Sequence, residues 1–335
     1  MQKTNDEDNL APNEDGLLFA CLLDGKGGAK PVGWSEVDNW NSKKPPLWVH
    51  LDRSSPAARD WLRTRSGLTQ PTVEAILSEE SRPRVFRGKR GYVAIIRALN
   101  QNEGADNEDM VALRIWCDGQ RLITVRQRQL FVPRQIFKDL TEETDGPHQI
   151  PGVFCQLIDR VVRQMSNTIS SYEDELDTLE LKAGSDGSSS INRELADLRR
   201  RIIEFRRYIS PQREALGHLL AEPPGWFGDE HRPLVREAAD RQQRYLEKLD
   251  EARERTVIVK DDLMNRLNQQ MNHNMYVISV IAAIFLPLSF VTGLLGINVG
   301  GMPGVENSAA FWVTCALLVA LLVGEVWIFR KLKWF

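Results

Sequence analysis

The sequence predicts an α+β cytosolic domain followed by a long stalk helix and two transmembrane helices. Three observations carry that prediction. Residues 267–305 contain no Asp, Glu, Lys or Arg; the 53 residues between Pro233 and Pro287 contain neither Gly nor Pro; and β-branched runs divided by turn residues fill the chain before Gly152. With 335 residues and 38.2 kDa, the chain has room for about two domains rather than one compact core.

Taken in chain order, residues 1–15 are acidic and lack an apolar core, so they read as a disordered tail and not as a secretory signal. Residues 16–150 form the α+β domain. Strand-like runs occupy 16–24, 47–51, 92–99, 111–116 and 122–126, and Gly88-Lys89-Arg90-Gly91 reads as a turn. Ser55-Pro56 looks like an N-cap with Pro at the first helical position, opening a helix to about Arg65. The pattern implies helices packed on a mainly antiparallel or mixed sheet.

Residues 151–232 follow as a helical layer: amphipathic helices over 153–182 and 192–220, joined by the Gly/Ser-rich segment 183–190, the second interrupted by Pro211. The stalk, 233–274, is rich in Arg, Glu, Leu, Gln and Ala, all good helix formers. The 53 residues between Pro233 and Pro287 make one helix of about 80 Å at 1.5 Å per residue, running from the stalk into the first span. The spans themselves, 275–295 and 309–329, are 21 residues each. That length crosses a hydrocarbon core of about 30 Å. Pro287 falls inside the first, where it either kinks the helix or is tolerated by neighbouring helices.

Arg266 precedes the first span, and Arg330, Lys331 and Lys333 of the basic tail 330–335 follow the second, while the loop 296–308 carries one acid, Glu306, and no base. By the positive-inside rule both termini are cytoplasmic and the loop faces outward, so the protein reads as multi-pass with membrane lipid as a partner. Lys+Arg of 43 against Asp+Glu of 46 leaves a net charge of −3, so nothing advertises a nucleic-acid partner. The four cysteines have no C-x-x-C spacing, which argues against a disulfide scaffold or a Cys-based zinc module. No phosphate loop, dinucleotide fingerprint, nucleophile elbow or metalloprotease motif occurs, and the five scattered histidines read as surface or capping residues. The reading is therefore a non-enzyme with no resident cofactor.

Spacings of 3 and 4 along the long helix pick out one stripe: Glu247, Glu251, Glu254, Ile258, Asp261, Asn265, Asn268, Asn272, Met275, Ser279, Ala282, Leu286, Ser289, Gly293 and Gly296. It passes from carboxylates to amides to small or weakly polar groups, unlike the Leu/Ile seam of a coiled coil. Close helix packing through small residues is the alternative. Two spans of one chain cannot enclose water, so a pore-lining stripe requires several copies, and symmetry makes each residue a ring. After it come Gly296, Ile297 and Asn298. Glycines bring carbonyls near an axis, and an Asn amide oxygen can hold a hydrated cation, though Asn also caps helix C-termini. Glu306 would add an outer acidic ring that collects divalent ions.

Here the sequence resembles the CorA-type metal-ion transporters, and within them the zinc-transport branch called ZntB. The resemblance rests on the two C-terminal spans and stalk, on LPLSFVTGLLGIN (286–298), and on LWVHLD (47–52), RPRVFRGKRGYVAIIRALN (82–100) and MVALRIWCDGQRLITVRQR (110–128). It implies a homopentameric, funnel-shaped assembly whose stalk helices continue into the pore, with the Gly-x-Asn signature at the outer mouth. Asn298 matches the signature Asn, Ser289 the polar residue before it, and Leu286, Ile278, Met275 and Asn272 the successive pore-facing positions. The stripe read from spacing has Ser279 where the resemblance has Ile278. The magnesium branch carries Gly-Met-Asn, whereas Ile297 stands here, which favours zinc. The donors themselves do not choose zinc: amide, hydroxyl and carbonyl oxygens suit any hydrated divalent ion.

The expected function is transport of a divalent cation, zinc foremost, with Asn298 and Glu306 as its hydrated-ion ligands and Asp261 and Glu254 as inner stalk acids. Glu325 reads either as an interfacial acid near Arg330 or as a proton-coupling group. The alternatives are a magnesium/cobalt channel of the same superfamily and a membrane-anchored interaction or sensor protein.

Overall fold

The computed structural model describes residues 15–105, 109–185, 189–297, 307 and 309–331. The acidic tail up to residue 14 and loop residues 298–306 and 308, Asn298 and Glu306 among them, lie outside them. The chain divides into two compact units, Met1–Lys260 and Asp261–Phe335.

In the first unit seven strands form one sheet: β1 (Leu17–Leu23), β2 (Ala29–Val32), β3 (Leu47–Asp52), β4 (Arg84–Arg87), β5 (Tyr92–Leu99), β6 (Met110–Cys117) and β7 (Arg121–Arg126). Their order is β2-β1-β3-β7-β6-β5-β4. Only β3 and β7 pair in parallel; the remaining pairs are antiparallel, so the sheet is mixed. All residues of β3 and β6 are buried, as expected of central strands covered on both faces. Asp118 tightens the β6–β7 turn, its Oδ1 accepting from the backbone N–H groups of Gln120 and Arg121. Gly119 there sits at φ +94°, and a Cβ would strike Trp226.

One face of the sheet is covered by α1 (Trp34–Asp38), α2 (Pro56–Thr64) and α3 (Gln70–Leu77). Ser55 caps α2, accepting from the Ala58 N–H, with Pro56 at its first turn. Trp61, Leu62, Val73 and Ile76 meet Val49, Leu51, Val93, Ile95, Trp116 and Val125 in the core beneath. Helix α4 (Phe131–Lys138) and a π-helical turn (Asp139–Glu143) lead to α5 (Ile150–Ser185), which packs on β5, β6 and β7.

Helix α6 (Ser189–Ala221) returns beside α5. Contrary to the sequence expectation, it runs through Pro211 as one element: the proline forfeits a backbone bond, and the packing of Ile209, Ala215 and Leu216 on either side holds the helix. Helix α7 (Arg232–Leu295) contains 64 residues. At 1.5 Å per residue that is about 95 Å. Ion pairs tie α5, α6 and α7 within the first unit: Arg201–Glu175, Arg206–Asp250 at 2.8 Å, Lys248–Glu173 at 2.8 Å, and Arg255 to Asp177 and Glu180 at 2.6 and 2.7 Å.

His50 is a correction to the surface reading of the histidines. It is 2% exposed, and its Nδ1 lies 2.8 Å from Thr124 Oγ1. That hydroxyl also accepts from Trp48 Nε1 at 2.9 Å and lies 3.2 Å from Val49 O. Burial, then the charge of Arg126, pushes the His50 pKa well below the usual range.

The second unit holds the membrane-side part of α7 and α8 (Ala310–Lys331). Both helices are long and apolar enough to cross a membrane.

Candidate functional site: the open face of the long helix

A helix advances about 100° per residue, so burial along α7 shows which side it turns inward. In the first unit its buried residues are Val235, Ala238, Gln242, Tyr245, Leu246, Leu249, Ala252, Thr256 and Val259, a single stripe. Glu247, Glu251, Glu254 and Ile258 lie about 180° round the helix from it and are all exposed. In the second unit the shielded residues of α7 are Leu263, Leu267, Val280, Ala283, Ile284, Pro287, Leu288 and Val291. Asp261, Asn265, Asn268, Asn272, Met275, Ser279, Ala282, Leu286, Ser289, Gly293 and Gly296 are all exposed. Met275 is 60% and Leu286 75% exposed. Over 235–259 and 280–291 the shielded residues lie opposite the stripe, whereas between Asn268 and Ser279 every residue of α7 is exposed and burial selects no face. Ile278, about 100° round the helix from Ser279, is 67% exposed.

Three local features decide what this face offers. Ser279 Oγ donates to Met275 O at 2.8 Å, which satisfies its proton inside the helix and leaves its lone pairs outward. The α7 helix ends through Gly296, whose N–H reaches Thr292 O at 3.0 Å and Gly293 O at 3.2 Å, and Ile297 follows half-exposed. Ser289 also borders a groove of about 360 Å³ between α7 and α8, lined by Phe285, Leu288, Thr292, Leu318, Val319 and Leu322. The sequence reading missed that groove because it depends on how α8 lies beside α7.

The stripe acids differ from the other acids of the helix layer. Glu237, Asp250, Glu173, Asp177 and Glu180 are held by arginine or lysine. Among the described residues no ion pair involves Glu247, Glu251, Glu254 or Asp261. Glu325, on α8, is half-buried; its Oε2 has no hydrogen-bond partner, and no ion pair joins it to Arg330 among the described residues. No group of three or more His, Cys, Asp or Glu side chains that could hold a metal occurs among the described residues.

These features have close counterparts in known proteins. The chain is 35% identical over 325 residues to the divalent cation transporter CmaX of Pseudomonas aeruginosa, covering 96% of this chain and 98% of that one. A solved structure of full-length CmaX superposes with a TM-score of 0.84, at 35% identity over 96% of this chain and 99% of that chain. The zinc transport protein ZntB of Pectobacterium carotovorum is 34% identical over 324 residues, 95% of this chain and 96% of its own. The CorA magnesium transporter of Methanocaldococcus jannaschii shares the fold, with a TM-score of 0.80 at 20% identity over 95% of this chain and 99% of that one. The sequence model of the family described as CorA-like Mg2+ transporter protein matches residues 43–331, and the chain belongs to that family of ion transporters, which are not enzymes.

Proposed function

We propose that the chain is a divalent-cation transporter, with zinc as its cargo, working as a homopentamer in the bacterial inner membrane with both termini cytoplasmic. The observation that carries this reading is the uncovered face of α7, polar and acidic toward Glu254 and Asp261, small and weakly polar from Ser279 to Gly296. Cyclic assembly turns that face into a wet axis lined by rings. Asn298 and Glu306 collect the hydrated ion at the outer mouth, beside the backbone of Gly296 and Ile297. Asn272, Ser279 and Ser289 pass it on, Met275, Ile278 and Leu286 narrow the path as apolar constrictions, and Glu254 and Asp261 hold cations at the inner end.

Zinc is favoured by the 34% identity to ZntB proteins and by Ile297, while the oxygen donors alone suit Mg2+ equally. Glu325 is assigned to proton coupling, because an unpartnered carboxyl oxygen in an apolar helix is a natural site for a proton.

The test is zinc and magnesium flux by the purified chain in proteoliposomes under pH gradients of either sign. Zinc movement is expected, collapsing in Asn298→Ala and losing its pH response in Glu325→Gln. Leak-tight vesicles would turn the reading toward a membrane-anchored interaction protein. Magnesium flux exceeding zinc flux would move the protein to the magnesium/cobalt group.

A further inference from the structure

Four guanidinium groups surround the segment 78–84 that joins α3 to β4. Arg114, from the middle of β6, is 2% exposed, and Arg53, just past β3, is 7% exposed. Arg53 Nη1 donates to Leu77 O at 3.0 Å and to Ser78 O, and its Nη2 to Gln127 Oε1. Arg114 Nη2 donates to Ser78 O at 2.9 Å. Arg97, on β5, donates from Nε to Ser81 O at 3.0 Å, from Nη1 to Met110 O and from Nη2 to the Ser81 hydroxyl, with its guanidinium 4.6 Å over the Tyr208 ring.

All these hydrogen-bonding acceptors are neutral. Among the described residues no carboxylate is hydrogen-bonded to Arg53, Arg97 or Arg114. The Nε groups of Arg53 and Arg114 are buried without any partner. Glu79 acts on Arg53, and Asp109 on Arg97, only at longer range. Asp109 itself is engaged by Asn100 and Arg128. Arg84 completes the group at the rim, with a side chain 32% exposed and paired only to the exposed Glu80 at 3.5 Å. The crowding is felt: burial first, then Arg53, Arg97 and Arg84, lowers the Arg114 pKa to about 10. Arginine remains charged there.

Buried charges in native proteins are compensated, because an isolated one is among the costliest things to bury. Here the carbonyls of 77, 78 and 81 supply only partial negative charge. We propose that the cluster of Arg53, Arg84, Arg97 and Arg114, with the Ser81 hydroxyl, is a binding site for a phosphate-type oxyanion. Planar guanidinium forks match the oxygens of such an ion, and Ser81 adds a donor. Ser78 and Ser81 are only half-buried, so the anion approaches over the 78–84 segment, beside Arg84.

The test is calorimetric titration of the full chain in detergent micelles with inorganic phosphate, holding ionic strength constant with chloride. One saturable phosphate per chain is expected, displaced by sulfate and not by further chloride. Arg84→Gln removes a rim donor and should weaken phosphate binding roughly tenfold or more, while Arg84→Lys keeps most of it. Ser81→Ala should weaken it severalfold, and Arg114→Met should abolish it in protein whose circular dichroism is unchanged. Should Arg114→Met not fold, Arg84→Gln and Ser81→Ala decide alone. Absence of saturable phosphate binding by the unmodified chain, or equal affinity in Arg84→Gln and Ser81→Ala, overturns the proposal.

Discussion

Within Met1–Lys260 the sheet and its helices close over Trp48, Trp61, Leu62, Ile76, Phe154 and Phe205, each at most 2% exposed. Within Asp261–Phe335 only Leu263 and Val280 are buried among the described residues, and Phe285, Phe290, Phe311, Trp312 and Trp327 stand more than half exposed. The first region satisfies itself, since its apolar surface and most of its helix-layer charges find partners inside one chain. The second has the composition of a core and the exposure of a surface, as its two helices long and apolar enough to cross a membrane would have. Helix α7 belongs to both, and its stripe changes from acids at Glu247–Asp261 to small and apolar residues at Met275–Gly296.

The sharpest way to break this comparison is to truncate a large side chain in each region. Trp61 is 2% exposed, stacks near Trp34 with ring centroids 5.4 Å apart, and donates from Nε1 to Asp38 Oδ1 at 2.8 Å. Trp61→Ala should lower unfolding stability by about 3–5 kcal/mol in urea titrations followed by circular dichroism. Leu286→Ala removes a residue 75% exposed and should leave that transition in place. Its effect belongs in ion flux, where a widened constriction raises the rate. Equal destabilisation by the two would mean that the second region has a core of its own.

Asp159 tests the charge side. Its carboxylate, with the side chain 7% exposed, accepts from Arg163 Nε at 2.7 Å and Arg241 Nη1 at 3.0 Å, joining α5 to α7. Asp159→Asn leaves both arginines without that counter-charge and should cost about 2 kcal/mol, less than a fully buried pair because the arginines touch water. The same unfolding assay reads it. A change below a few tenths would place these bridges among the inert surface pairs.

A smaller effect is expected at His50, and only in acid. Its pKa is lowered in the folded state, so the fold binds the neutral ring and the unfolded chain takes up the proton. Its contribution is complete above the unfolded value of about 6.5 and is lost as pH falls from there toward the folded pKa, by at most about 1.4 kcal/mol per pH unit. The drop in melting temperature between pH 7 and pH 5 should therefore shrink in His50→Asn. A drop of the same size would assign the acid sensitivity to other groups.

Much of this comparison could be read from the residues alone, for physical reasons. The α7 stripe is a local periodicity, and burial lies opposite it over 235–259 and 280–291. The spans are legible because length and charge depletion need no tertiary information. Strands β3, β5, β6 and β7 announce themselves by β-branched content, whereas β2 (Ala-Lys-Pro-Val) and β4 (Arg-Val-Phe-Arg) do not. Those two are the sheet's edges, where short, charged and proline-bearing strands are the rule. His50 misled because an apolar run with one histidine does not reveal that Thr124, 74 positions away, receives the ring. The cluster of Arg53, Arg97 and Arg114 was equally invisible, since its members come from different strands and meet only through sheet register.

The least effect on stability is expected from the stripe acids, and it is there that the comparison is sharpened most. Glu254 and Asp261 are exposed and in no ion pair among the described residues, so neutralising them breaks no bridge that holds the chain together. In Glu254→Gln with Asp261→Asn, unfolding free energy should stay within about 0.5 kcal/mol of the unmodified chain. Repeated around a symmetric axis, however, each would be a ring of carboxylates, and such rings raise local cation concentration in a way that salt screens. Cation flux in proteoliposomes should accordingly fall severalfold at low ionic strength and much less at high salt. A severalfold loss that is independent of salt would mean that these acids act by direct contact with the ion. No loss at all would mean that the uncovered face of α7 does not surround the path in its cytosolic half.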